Sequence, residues 1–346
     1  TNLELEEYQK AMSNFEKVIE IDPNSVTAYI NLTQIFQKLG NPQKTIDCFE
    51  RAIKIDPNNQ NIINLLTHFL STYKFEGKLQ KNTLRSLKNF YFILFKNNRI
   101  YHGKININTK LLFPENNDNE LLELINSDSL LTNKIIEKLL KEELFYLILQ
   151  KSLIPNIFLE KLLTKLRCEI LFKLDNSNKD VLKDYLDFII SLAENSWLNE
   201  YVFAQSEKET SEINRLKNKI EKNDDVDELE VAILGCYFPL SNSKIISEKF
   251  LNYKSANILF NDLINVQIKE PLREKELAKS IKSLDQITDT VSQKVRDQYE
   301  KNPYPRWRFT YQILPENFFP LMNSIIKPNK IIYNSKFNNP NVLIAG

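Results

Sequence analysis

Ile21-Asp-Pro-Asn24 returns as Ile55-Asp-Pro-Asn58. Pro23 and Pro57 stand 34 residues apart, and so do Phe15 and Phe49. A fixed period of this length marks a helix pair used repeatedly, because one pair alone cannot bury its apolar face. One complete unit lies between the two signatures, from Val26 to about Asn59. Tyr29, Leu32 and Phe36 are the large residues of its first helix. Gly40-Asn-Pro42 is the turn, and Pro42 opens the second helix, where a missing N–H costs nothing. Thr45, Phe49 and Ala52 form the packing face of that helix, and Pro57 ends the unit. Residues 5–23 read as the second half of a preceding unit, with Ala11, Phe15 and Val18 on its packing face. Asn61 to Tyr73 reads as the first helix of a third unit or as a cap, with Ile63, Leu66 and Leu70 in register.

The period, the Gly-Asn-Pro turn and the closing proline resemble the tetratricopeptide repeat. Thr45 stands where that family usually has alanine. In such arrays the first-helix side chains line a concave groove. The resemblance therefore assigns Thr27, Ile30, Asn31, Gln34 and Lys38 to a peptide groove and implies a protein or peptide partner. Asn31 occupies the place where related repeats carry an asparagine that bonds a peptide backbone. The following helix has Leu65 there instead. The alternative is that the repeats simply pack on the next domain.

The chain is long enough, at 346 residues, for two or three domains. It holds only 5 Gly against 13 Pro, which favours helices over a large β-rich or Gly-loop-rich domain. The net charge of +1 gives no basic footprint for nucleic acid. Cys48, Cys168 and Cys236 are odd in number and far apart, so neither a zinc spacing nor a disulfide framework can be built. They read as small buried hydrophobes, no metal is expected, and His68 and His102 read as structural or exposed. The longest apolar runs, such as Phe90-Tyr-Phe-Ile-Leu-Phe95, fall far short of the roughly 20 residues a membrane span needs. No membrane partner is expected, and the cytoplasm is the expected location.

Leu84 to Phe95 predicts an aromatic-rich helix against the repeats, and Phe113 to Asp118 a loop. From Glu120 to Leu198 apolar residues recur at i, i+3/i+4. The rows are Ile135, Ile136, Leu139, Leu140, Leu144, Leu147 and Ile148, then Ile157, Leu159, Leu162, Leu163, Leu166 and Ile170, then Val181, Leu182, Tyr185, Leu186, Ile189 and Leu192. They predict core faces of an irregular helical bundle. Ser206 to Glu228 reads as a solvated charged segment. Val231-Ala-Ile-Leu-Gly-Cys-Tyr-Phe-Pro-Leu240 is nearly all apolar, and Gly235 within it points to close approach by a neighbouring element. Tyr237 and Phe238 read as packing residues, with a functional role as the alternative. Asn257 to Ile268 and Glu274 to Leu284 read as two further helices, the second after Pro271. Thr290-x-x-Gln293 has the form of a capping box opening a last helix, which Pro303 and Pro305 stop.

Two further phrases give a second resemblance. Val295-Arg-Asp-Gln-Tyr-Glu-Lys-Asn-Pro-Tyr-Pro-Arg-Trp307 and Asn341-Val-Leu-Ile-Ala-Gly346 are similar to segments of a bacterial family that joins these repeats to an S-adenosylmethionine-dependent methyltransferase. That family also has a phrase like Cys236-Tyr-Phe-Pro-Leu240. Asn341 to Ala345 reads as a buried parallel strand delivering Gly346 to a turn. The resemblance implies a mainly α chain carrying, at its C-terminal end, the start of a Rossmann-like α/β domain. It implies S-adenosylmethionine as cofactor of the parent protein, near Ala345 and Gly346. Asn302 to Trp307 is then either a rigid connector or a lid. As a lid, Tyr304 or Trp307 would stack on the cofactor, its sulfonium suiting an aromatic face, and Arg306 would pair with a carboxylate. Catalytic residues would lie past Gly346. Thr1 in place of methionine, and the terminal glycine, lead us to expect a piece of a longer protein that does not bind the cofactor alone.

The expected organisation is repeats over 1–78, a connector over 79–118, a helical domain over 119–286, a helix plus connector over 287–340 and a first strand over 341–346. The leading reading is an interaction scaffold within a methyltransferase. A non-catalytic repeat scaffold and a repeat-bearing glycosyltransferase are the alternatives, and the Asn302 to Trp307 phrase speaks against the last.

Overall fold

A computed structural model describes residues 2–75, 79–112, 118–127, 129–174, 179–223, 225, 227–281, 288–301, 308, 309 and 323. The chain divides into two units, 1–310 and 311–346, and the elements below belong to the first. Regular structure among the described residues is helical throughout, with no strand. The expected strand at Asn341 to Gly346 lies outside the described residues, as do Tyr304, Arg306 and Trp307.

The repeats form α1 (Asn2–Ile21), α2 (Val26–Lys38), α3 (Pro42–Ile55) and α4 (Gln60–Thr72). Their turns follow from a few short polar side chains. Asp22 accepts the Asn24 N–H at 3.0 Å, and Asn59 donates to Asp56 at 3.0 Å in the second copy. Asn59 also caps α4 by accepting the N–H groups of Asn61 and Ile62. Gly40 takes φ 66°, where a side chain would be strained, and Asn41 caps α3 by accepting from Lys44. Thr45, Phe49 and Ala52 are buried as the period requires. The Thr45 hydroxyl donates to the Asn41 carbonyl at 2.8 Å, so replacing the usual alanine leaves no polar atom stranded. In α1 the packed residues are Met12, Phe15 and Ile19, against Leu32, Phe36 and Cys48. Val18, expected on that face, is exposed, because contact with α2 selects the stripe one position on.

The repeats are not a separate lobe. Helix α5 (Lys81–Lys96) puts Leu87, Phe90, Tyr91, Leu94 and Phe95 into the same core as Phe49, Leu66 and Leu70. Phe49 contacts the rings of Phe69 and Phe90 at 5.7 and 6.1 Å. A 3₁₀ segment, His102–Leu112, follows. Then come α6 (Asp118–Asn126), α7 (Lys134–Leu139), α8 (Glu143–Lys151), α9 (Ile157–Phe172), α10 (Lys179–Lys183) and α11 (Leu186–Leu198). Leu144 and Ile148 of α8 belong to the core of α3–α5, and Phe145 and Leu149 to the larger core around α11. Helix α8 thus joins the two. The predicted apolar rows are core except at their starts. Ile135, Ile157 and Val181 are exposed, since each lies in the first turn of a helix whose buried stripe begins a residue or more later.

Helix α12 (Glu207–Lys222) is more than a solvated charge run. Its Ile213, Leu216 and Ile220 enter the core, and Ser206 and Glu209 form a full capping box. Helix α13 (Glu228–Gly235) is buried from Leu229 to its end, and α14 (Lys244–Phe250) packs beyond it. Helix α15 (Ile258–Ile264) passes through a π turn, Asn265–Lys269, into α16 (Glu270–Ser280). The two helices read around Pro271 are therefore one continuous helix interrupted by a π turn, with Pro271 in the first turn of the second part. The π turn aims the fully buried Gln267 amide between α11 and α13. Its nitrogen donates to the carbonyls of Ala193 (2.9 Å) and Gly235 (3.1 Å). Helix α17 (Thr290–Lys301) is capped by Asp289, which accepts the Ser292 N–H at 2.7 Å, so the sequence signature sits one residue before Thr290.

Gly235 is the close approach its sequence context predicts. A Cβ there would sit 3.3 Å from the Ala193 Cβ and 3.4 Å from the Gln267 Oε1. Gly235→Val is expected to cost about 1–3 kcal/mol by overpacking this crossing, measured by urea unfolding.

Candidate functional site

The five side chains assigned to the peptide groove fall on one face of α2. Thr27, Gln34 and Lys38 are exposed, and Ile30 and Asn31 are half-buried. Ile30 leans on the core of α3–α5. Asn31 donates to the Thr27 carbonyl at 2.8 Å, within its own helix. At the end of this face is a cavity of about 270 Å³. Gln37 and Lys38 line it from α2, Asn41 from the turn, and His68, Thr72 and Tyr73 from α4 and its end. The buried Gln37 nitrogen lacks a hydrogen-bond partner there. Several polar groups converge there around the Phe69 ring and Pro42, a lining that suits a polar peptide side chain and backbone.

A second cluster escaped the reading of the sequence altogether. It lies among α8, α11, α15 and the 3₁₀ segment. Glu194 of α11 is completely buried. Its carboxylate receives Nη1 of Arg308, which also donates to the Gln150 carbonyl at 3.1 Å. The other terminal nitrogen of Arg308 meets Asp262, whose side chain is 41% exposed. Beside it, Phe309 stands edge-on to His102, 5.5 Å between centroids, and His102 stacks on Phe95 at 5.1 Å. Lys151 lies 4.8 Å over Phe309 and donates to the Phe95 carbonyl and to Asn98, both at 2.6 Å.

Burial dominates the electrostatics here. It pushes the Glu194 carboxyl up to about 8, against the pull of Arg308. Burial, with Arg308 adding repulsion, brings the Lys151 amine down to about 8. Glu270 is likewise raised by burial, while the two carboxylates and their bonds hold the guanidinium firmly charged.

Arg167 forms a third polar node, within α9. It donates to the Ala204 carbonyl at 2.7 Å and lies 4.0 Å over the Tyr237 ring. The Tyr237 hydroxyl donates to Glu209 at 2.8 Å. Tyr237 therefore serves as packing and as a link between α12 and the end of α13. Cys236 is wholly buried, and its thiol is pushed up to about 12. Among the described residues no group of three His, Cys, Asp or Glu side chains could hold a metal ion, and no helix is long and apolar enough to cross a membrane.

Residues 1–25 and 26–59 each match a tetratricopeptide repeat family. No curated protein and no solved structure matches the chain. The N-terminal region is thus built of tetratricopeptide repeats, which suits a protein-interaction scaffold.

His102 gives this region an acid sensitivity. It is 1% exposed, and burial, reinforced by Lys151, lowers it from 6.5 to about 4. The unfolded chain therefore binds a proton that the folded chain refuses between these two values. Stability is present above pH 6.5 and falls as pH drops towards 4, by at most roughly 3 kcal/mol. Urea unfolding at a series of pH values is expected to show this decline, and His102→Gln to flatten it.

Proposed function

We propose that the chain is the interaction-scaffold region of an S-adenosylmethionine-dependent methyltransferase, with the exposed face of α2 taking an extended segment of a protein partner. The scaffold half rests on the match to tetratricopeptide repeats over residues 1–59 and on one helical face presenting Thr27, Gln34 and Lys38 to solvent. The cavity between α2 and α4 offers room for one anchoring side chain. Lys38 and His68 at its rim favour a partner with an acidic or carbonyl-rich strand.

The methyltransferase half is supported by the sequence phrases alone, Asn302 to Trp307 and Asn341 to Gly346. Methyl transfer asks mainly that the acceptor be aligned behind the methyl carbon. A repeat array suits that need, because it can hold a protein acceptor near a cofactor without taking part in the chemistry. In this reading Tyr304, Arg306 and Trp307 cover the cofactor, and Ala345 and Gly346 open the turn beneath it.

Two measurements separate the halves. Thr27→Arg combined with Gln34→Arg is expected to abolish partner capture while leaving stability within about 0.5 kcal/mol, since both sites are exposed. The full product of the gene is expected to bind S-adenosylmethionine in calorimetry, and Trp307→Ala to weaken it. Capture that depends on α2 without any cofactor binding would leave a non-catalytic scaffold.

A further inference from the structure

The plug formed by Arg308 and Phe309 carries more than a packing role. Glu194 has no exposed surface, and one of its oxygens, Oε1, is without a hydrogen-bond partner. Asp262 approaches from α15, on the other side of the guanidinium. The two terminal nitrogens of Arg308 are divided between these carboxylates, and the Gln150 carbonyl takes a further bond from Nη1. A planar fork of donors fits this arrangement, whereas an ammonium is a single point and cannot span it. The neighbouring seat is aromatic and holds Phe309 against His102, which is itself backed by Phe95. Acceptors for a guanidinium thus stand beside a seat for a ring, both on residues that precede position 270 in the chain.

We propose that Glu194, Asp262, the Gln150 carbonyl and the His102–Phe95 ring stack form a recognition socket for an arginine followed by an aromatic residue, occupied in cis by Arg308–Phe309. Helices α8, α11 and α15 hold the socket, and the residues at 308 and 309 are its ligand. A free guanidinium ion, or an arginine–aromatic peptide in trans, occupies the same acceptors once the plug is removed. The charged and titratable groups around the ligand are Glu194, Asp262 and Glu270 on the acidic side and Lys151 and His102 on the basic side. The acidic excess favours a cation, while Lys151 and His102 lie towards the ring seat. The inference stands on this geometry and is independent of any methyltransferase chemistry.

Chemical rescue tests it on the whole chain. Arg308→Ala is expected to melt lower than the parent. Low-millimolar guanidinium chloride should then raise its melting temperature saturably, where sodium chloride and tetramethylammonium chloride do not. Adding Glu194→Gln to the same chain should remove the rescue. A response to guanidinium no different from that to sodium would overturn the proposal. Asp262→Asn, at a part-exposed position, provides a second readout that needs no empty socket. Trypsin must take the Arg308 side chain to cut before Phe309, so it competes with the socket. Relative to cleavage after Lys254, exposed in the loop between α14 and α15, cutting after Arg308 is expected to be slow in the parent and about tenfold faster or more in Asp262→Asn, as suits loss of a charge-assisted bond. Equal cleavage after Arg308 and Lys254 in the parent would equally overturn it.

Discussion

A helix buried on every side strands its polar atoms wherever its neighbours do not reach them, and α11 sets that condition for the rest of the molecule. Every residue from Phe188 to Leu198 is buried, including Ser191, Glu194, Asn195 and Ser196. A buried polar group without a partner costs roughly 1–3 kcal/mol, and a buried charge more. The neighbouring elements supply partners for several of these groups, while Glu194 Oε1 and Ser196 Oγ have none. Gln150 of α8 donates to Ser191 at 3.1 Å, and Asn195 donates to the Leu149 carbonyl at 2.8 Å. Gln267 of the π turn reaches the Ala193 carbonyl. Glu194 is met by Arg308, which reaches it from more than a hundred residues along the chain.

The repeat array is tied to that helix through α8. One side of α8 packs with the repeats and α5, and the other with α11. Helix α2 leans on the core of α3–α5 through Val26, Tyr29 and Ile30, and α8 links that core to the one around α11. That suits a scaffold whose partner must be held at a fixed place relative to the helical bundle. Polar links between these elements include Lys88 with Glu142, Thr83 with Gln43, and Lys151 with the end of α5.

Much of this could be read in the sequence, for reasons that differ along the chain. The repeats were legible because their period is carried by turns as well as by apolar residues. Asp22, Gly40, Asn41 and Asn59 each solve a local backbone problem, and local problems are visible locally. Gly235 was legible for the same reason, since a glycine amid large apolar residues implies a close neighbour. Val18, Ile135, Ile157 and Val181 misled because spacing defines a stripe but not which edge of it faces the partner helix. The π turn hid behind Pro271, which resembles a helix start when the turn before it is unknown.

The polar cluster was illegible for a further reason. Glu194 sits in Ser191-Leu-Ala-Glu-Asn-Ser-Trp197, where a charge within an apolar helix is the only sign, and a surface position explains it as well. Arg308 follows immediately on the Asn302 to Trp307 phrase, whose aromatics carry the stronger signal. Only the fold brings the acid and the base together. The central claim is that Glu194 and Arg308 depend on each other, and a double-mutant cycle with Glu194→Gln and Arg308→Met tests it most directly. Urea unfolding of the four chains is predicted to give a coupling of about 1.5 kcal/mol or more. Additivity of the two substitutions to within about 0.5 kcal/mol would contradict the account.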